Sequence, residues 1–378
     1  MSNSNGWESP ALLNCDRQIL KEIPYPQCLD YEMVRRWSEN IPVFSDDPEL
    51  PEWRPTPVIE LDLSTEGLGR VFVKNEADRM SNPTGTIKDR AAWEIATVYR
   101  DFAISLMTKI RAGLLTKKEL ETIPVPRFSV ITAGNEGRAL ANCFEVYDLP
   151  PPKLLIGNKT NTRVLEKLLE LRADIYSADL SQPLDPETIR LSTNNPGGID
   201  ITSIKPIEPW SVFYDWHVHE AFNLSPNRIY LPYGSGRLME NYLTWQVRSV
   251  RNEVEGRRDP RLKVPIADVV TIDIFGAEPA EASTIADKLF APCRPFALYT
   301  NEDTSTTTRL ALGGDSSSIV KVPEPDIVSA YGLLNAYGIP AEPSGAAGLA
   351  LYINHFQRGL VRPEEKVLVV NTGFGLQA

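Results

Sequence analysis

An α/β fold built on parallel sheets flanked by helices is what this sequence predicts, on three observations. Short apolar runs that read as strands alternate with amphipathic helical patterns, and the turns between them collect glycine and small hydroxyl residues. The third is size: 378 residues, 42% hydrophobic and 24% charged, are enough for two domains with proper cores. A net charge of -11 argues against a nucleic-acid partner, which needs a basic face to displace counterions from phosphates. No apolar stretch approaches the roughly 20 residues that cross a bilayer, so no membrane partner is expected. Cys15, Cys28, Cys143 and Cys293 have no CxxC spacing, and the opening "MSNSNGWESP" lacks a basic n-region and an apolar h-region. A reducing, cytoplasmic setting is expected from both.

Taken in order, the elements begin after a proline-rich stretch. Proline, 31 in all, is concentrated in the first 60 residues and at element borders, which predicts an irregular N-terminal extension. "SNPTGTIKDRAAWEIA", Ser81 to Ala96, then sets Lys88 between an Asn-Pro-Thr-Gly turn and a helical pattern. Most lysines are solvated surface charges. This one has the wrong sign for a helix N-terminus, where the backbone dipole favours anions. A cation there is more easily explained if its amine is consumed in chemistry, as in a Schiff-base lysine. From about Asp101 to Pro126 the pattern reads as an added helical hairpin with no assignable role.

"RFSVITAGNEGRALANCFEVYDL" predicts a strand over Phe128 to Ile131, a turn at Gly134 and Gly137, and a helix with Leu140, Cys143, Phe144 and Tyr147 on one face. A helix from about Thr162 to Arg172 lies between two further strands. "NRIYLPYGSGRLMENYLTWQVRSVRNEV" repeats the scheme, and "VVTIDIFGAEP" and "KVLVVNTGFG" are β-rich runs ending in glycine turns. In parallel sheets ligands sit beyond the carboxyl ends of the strands. That singles out the turns Asn82 to Lys88, Thr132 to Gly137, Gly234 to Leu238 and Asn371 to Gly375.

Two phosphate-loop patterns fail: "NPTGTIKD" lacks the spacing of GxxxxGK[ST], and "GSGRLM" has Met239 where GxGxxG needs its third glycine. A single phosphate can still be held by the N–H groups of Gly234 to Leu238 at a helix N-terminus, with Arg237 adding charge. One phosphate and one lysine together point to pyridoxal phosphate. His217 and His219 in "DWHVHE" lie two apart on a helix, about 200° around it, so no metal site is expected.

These segments resemble the pyridoxal-phosphate enzymes of the tryptophan-synthase β fold (fold type II), which include threonine synthase, threonine and serine dehydratases and cysteine synthases. "NPTGTIKDRAA" looks like that family's lysine segment, "TAGNEGRALA" its asparagine loop and "PYGSGRL" its phosphate loop. "EPSGAAGLA" and "VVNTGFGL" are similar to its ring-nitrogen and closing segments, and "RPTPVIEL" and "RVFVKNE" match in order. The resemblance runs from about Arg54 to Leu376 and is closest to the threonine-handling members. It implies that pyridoxal 5'-phosphate is the cofactor, that Lys88 carries it as a Schiff base and shuttles the proton, and that Asn135 hydrogen-bonds its 3'-oxygen. Gly234, Ser235, Gly236, Arg237 and Leu238 would hold the phosphate, and Ser344 would face the pyridine nitrogen. Thr132, Ala133, Gly134 and Asn135 would receive the substrate carboxylate.

The implied architecture is an extension over 1–52, a large cofactor-binding domain over 53–84 and 191–378, and a small mobile domain over 85–190, in a homodimer. The implied function is β- or γ-elimination or replacement on an amino acid, threonine synthase-like or serine/threonine dehydratase-like. Cysteine-synthase-like β-replacement and a non-catalytic sensor or partner subunit are the alternatives. Ser344 is chemically informative, because a neutral hydroxyl accommodates an unprotonated ring nitrogen and favours elimination or replacement over transamination. It could also simply cap the helix "GAAGLALYINHF". Arg237, Thr86 and Ile87 depart from the common family pattern and bear on the substrate rather than on the cofactor.

Overall fold

The computed structural model describes residues 18–42, 54–179, 199–200, 214–234, 236–281, 283–289 and 318–376. Their strands form two sheets. The first has the order β1-β6-β5-β4-β7, with β1 Gln18–Lys21, β4 Phe128–Ile131, β5 Lys153–Gly157, β6 Asp174–Ala178 and β7 Ile199–Asp200. The second has the order β10-β9-β8-β11-β3-β2, with β2 Val58–Asp62, β3 Arg70–Asn75, β8 Arg228–Pro232, β9 Asp273–Pro279, β10 Ser318–Val322 and β11 Val367–Asn371. Pairing is parallel throughout except at two edges, where β1 runs antiparallel to β6 and β2 to β3.

The period-two alternation of strand side chains builds a core on each face of the larger sheet. Tyr230, Val367 and Val369 turn to one face, against α9 Glu324–Ala336 and α10 Pro343–Gln357. Ile229, Leu231, Leu368 and Val370 turn to the other, against α6 Asp215–Phe222, α7 Arg237–Val254 and α8 Ile266–Val270. Every residue of β11 is buried, as a central parallel strand requires. The smaller sheet packs Phe128, Val130, Leu154, Ile156 and Ile175 against α1 Tyr31–Asn40, α2 Lys88–Arg111 and α4 Asn135–Val146.

Four expectations are corrected here. The described part of the N-terminal extension is not irregular: β1 completes the smaller sheet, and Met33, Val34 and Trp37 of α1 join its core. Ile199–Asp200 pairs with β4, so the smaller sheet extends past residue 190. The hairpin expected from Asp101 is mostly the second half of α2, whose buried stripe of Ala91, Ile95, Tyr99, Ala103 and Leu106 runs on without a break. Gly113, in the left-handed region at φ 69°, lies just past its end, and α3 Lys117–Leu120 is one turn with a Thr116/Glu119 capping box. The helix expected to reach Arg172 is α5 Thr162–Leu169.

Candidate active site

Lys88 is the first residue of α2, and the turn before it is tied to the segment after β11. Ile87 N–H donates to Thr372 O at 3.0 Å, and Phe374 N–H to Gly85 O at 3.2 Å. Two glycines permit this approach. Gly85 has φ 74°, and a Cβ there would lie 2.4 Å from the Phe374 ring; Gly373 has φ 130°, and a Cβ there would lie 2.4 Å from Gly85 O. Asp89, the next residue, turns away and accepts from Thr84 N–H at 2.9 Å and Thr84 Oγ1 at 2.7 Å.

The Lys88 amine is thereby directed into a cavity of about 220 Å³ between the carboxyl-terminal ends of β4 and β8 and the start of α10. Its Nζ donates to the Tyr214 hydroxyl at 3.1 Å and stands 3.5 Å from Glu136 Oε2. Burial works against the ammonium, but the Glu136 carboxylate and the Tyr214 hydroxyl outweigh it, so its pKa lies above the usual lysine value. Burial also pushes the Tyr214 hydroxyl up.

From β4, Thr132, Ala133 and Asn135 line the same cavity, whereas Gly134 does not. The Thr132 N–H is taken by Leu155 O at 3.0 Å, and Gly134 N–H by Thr132 Oγ1 at 3.0 Å. The Ala133 and Asn135 N–H groups are the ones left without a partner among the described residues. The Asn135 carboxamide is held at both ends, its Nδ2 donating to Glu342 Oε1 and its Oδ1 accepting from Leu376 N–H, each at 2.8 Å. Lys288 Nζ in turn bonds Glu342 Oε2, and Leu376 O at 2.9 Å.

From β8, Gly234, Gly236, Arg237 and Leu238 line the opposite wall; Ser235 lies outside the described residues. Gly236 is the N-cap of α7 at φ 86°, and the helix runs 18 residues. Its first N–H groups, which lack intrahelical acceptors, form an anion-binding end at the cavity.

Ser344 also lines the cavity and is buried, and among the described residues its hydroxyl has no hydrogen-bond partner. The N-cap of α10 is Glu342, followed by Pro343 at the first helical position, so the capping role weighed for Ser344 does not hold.

The structure thus gathers Lys88, Thr132, Ala133, Asn135, Gly234, Gly236, Arg237, Leu238 and Ser344 around one cavity. Sequence reasoning missed Glu136, Tyr214, Lys288 and Glu342, which line it too. Glu136 and Glu342 sit inside motifs already singled out, where each reads as an ordinary residue of a helix start. Tyr214 and Lys288 carry no periodic or spacing signal.

The histidine pair lies apart from this cavity. His217 Nδ1 donates to Glu76 Oε1 at 2.8 Å and Nε2 accepts from the Tyr242 hydroxyl at 2.8 Å, while His219 packs edge-on against Trp245.

A family model described as pyridoxal-phosphate dependent enzyme matches residues 50–373. A comparison with curated proteins returns no match. Among solved structures the chain is similar to maize serine racemase, at 17% identity over 93% of this chain and 95% of that one, with a TM-score of 0.56. It is also similar to holo diaminopropionate ammonia lyase from Escherichia coli, at 16% identity over 95% and 93%, TM-score 0.56. A third likeness is to an L-serine ammonia-lyase from Rhizomucor miehei, at 15% identity over 85% and 94%, TM-score 0.55. At such identities the likeness is one of fold.

Proposed function

The chain belongs to the pyridoxal-phosphate dependent enzymes of fold type II, and from that membership we propose that it is a lyase catalysing elimination or replacement at Cβ or Cγ of an amino acid. Threonine synthase-like or serine/threonine dehydratase-like chemistry is the reading preferred. The observation that carries it is Ser344, a buried neutral hydroxyl left without a partner on the cavity wall among the described residues.

The residues present fit the cofactor. An amine, an anion-binding helix end and a free hydroxyl face one cavity, matching an aldehyde, a phosphate and a ring nitrogen. When bound, pyridoxal phosphate withdraws electrons from the substrate and acidifies its α-proton. Lys88 would hold the cofactor through Nζ and, when that amine is free, would take the α-proton there. Gly234, Ser235, Gly236, Arg237 and Leu238 would hold the phosphate. Asn135, its carboxamide already oriented by Glu342 and Leu376, offers its second Nδ2 hydrogen to the 3'-oxygen. The Ala133 and Asn135 N–H groups receive the substrate carboxylate at the start of α4. Ser344 would meet the ring nitrogen without supplying charge, which would keep the electron sink weak and steer the reaction away from transamination. A cytoplasmic homodimer acting on an amino-acid small molecule completes the proposal. Among the described residues no helix is long and apolar enough to cross a membrane.

The test is borohydride reduction of the yellow protein followed by peptide mapping, expected to place the pyridoxyl group on Lys88. Single amino acids are then added and the products identified. Keto acid and ammonia mark elimination, and a product formed only with an added nucleophile marks replacement. An adduct elsewhere, or transamination as the main outcome, overturns the proposal.

A further inference from the structure

Glu136 is the second residue of α4, where a carboxylate is ordinarily favoured by the helix dipole and faces water. Here it faces the cavity instead, with Oε2 3.5 Å from Lys88 Nζ and a side chain only 17% exposed. Among the described residues Lys88 is the cation with which it forms a salt bridge. Tyr214, just before α6 and 2% exposed, accepts from the same nitrogen at 3.1 Å. The other charged groups around the nitrogen do not replace this pairing. Arg237 on α7 has the same sign as the ammonium, Lys288 and Glu342 neutralise each other, and Asp89 on α2 is turned toward Thr84.

We propose that Glu136, with Tyr214, is the charge partner of the Lys88 nitrogen and sets the pH at which that nitrogen holds or gives up its proton. The inference rests on the reading of Lys88 as the cofactor-binding base. In the reaction, the proton lost from the substrate α-carbon arrives on Lys88 Nζ. The ammonium so formed is balanced by the Glu136 carboxylate, and the proton leaves that nitrogen for the departing group or for solvent. A lysine recruited as a base is commonly made less basic by burial. This one is made more basic, so it takes the α-proton readily but must start deprotonated, and turnover climbs toward alkaline pH.

The test compares the parent protein with Glu136→Gln and Tyr214→Phe. Loss of the carboxylate, an opposite charge within about 4 to 6 Å, lowers the pH midpoint of the lysine-bound cofactor's absorbance by about one unit or more. The acid limb of kcat moves down with it, while the alkaline plateau falls because the base is weaker. Tyr214→Phe moves the midpoint the same way by less, and serves where Glu136→Gln does not fold. Coincident titrations in all three proteins overturn the proposal. Borohydride mapping of the parent keeps it distinct from the reading of Lys88, which fails if no adduct forms there. The pairing is then judged on cofactor-free protein by the acylation rate of Lys88 near neutral pH. Glu136→Gln should raise that rate, by less than the roughly tenfold gain in free amine per unit of lowered pKa because a less basic amine is also a weaker nucleophile. An unchanged rate overturns the pairing too.

Discussion

In the proposed function, Ser344 is the side chain that faces the ring nitrogen and sets the reaction class. Ser344→Asp places a carboxylate beside the ring nitrogen and raises its pKa, since an opposite charge at that range favours protonation. The expected outcome is a changed absorption spectrum and measurable transamination. Ser344→Ala should leave the stability of the cofactor-free protein unchanged, because the N-cap position of α10 is Glu342 and not Ser344; a capping serine would lose about 0.5 to 2 kcal/mol. His355 is the second residue-scale case. Its Nδ1 lies 3.1 Å from the Tyr230 hydroxyl in a buried aromatic cluster, and burial lowers its pKa to about 4. The folded state therefore keeps His355 neutral while the unfolded chain protonates near pH 6.5, so stability is present above about pH 6.5 and is lost as pH falls toward 4. His355→Phe should reduce the difference in unfolding free energy between pH 7.5 and pH 5 by about 2 kcal/mol at most, measured by denaturant titration.

Among elements, the start of α2 is held by charge as well as by packing. Arg90, two residues past Lys88, bonds Glu76 Oε2 at 2.7 Å and Glu220 Oε1 at 2.8 Å. Lys74 on β3 bonds Glu220 as well, and His217 on α6 joins Glu76 to Tyr242 on α7. The network ties the lysine-bearing helix to the larger sheet and to the helix that opens at Gly236. Burial works against the Glu76 carboxylate, but Arg90 and His217 hold its carboxyl well below the usual range, and burial lowers His217 itself. Arg90→Met leaves two carboxylates with too little positive charge, and the expected loss is about 3 to 5 kcal/mol of unfolding free energy. Gly373→Ala acts on the other tether. Its Cβ would meet the Gly85 carbonyl at 2.4 Å, so the closing segment must lift from the lysine turn, and a slower capture of pyridoxal phosphate should be seen by stopped-flow absorbance.

For the whole molecule, the cavity lies where both sheets end. Its lining groups come from α2 and α4 beside the smaller sheet and from β8, α7 and α10 of the larger one. Asn135, Glu342, Lys288 and Leu376 form a polar bridge from α4 to the start of α10 and the closing segment. We propose that substrate draws the smaller unit toward the larger and excludes water from the cavity. Quenching of a fluorophore on the smaller unit should then change on adding a reactive amino acid and remain unchanged with Lys88→Ala. Light scattering at micromolar concentration should show a dimer, and an active monomer would contradict that part of the proposal.

Much of this protein was legible along the chain because strands, helices and their turns are local. Short apolar runs located β4 and β8, and glycine turns marked the carboxyl ends where Lys88, Asn135 and the Gly234 to Leu238 loop meet. Their order matched one family, and with it the cofactor. Tertiary structure alone decided what depends on residues far apart in sequence. The proline-rich beginning has no strand periodicity, yet four of its residues become β1 because β6 offers an open edge. Asp101–Arg111 read as an insertion until its buried face showed it to be α2 continuing. The partners of Lys88 stand 48 and 126 positions away, at Glu136 and Tyr214. Nothing in local spacing encodes such proximity, since a side chain's charge environment is set by whichever helices the packed sheets bring to it.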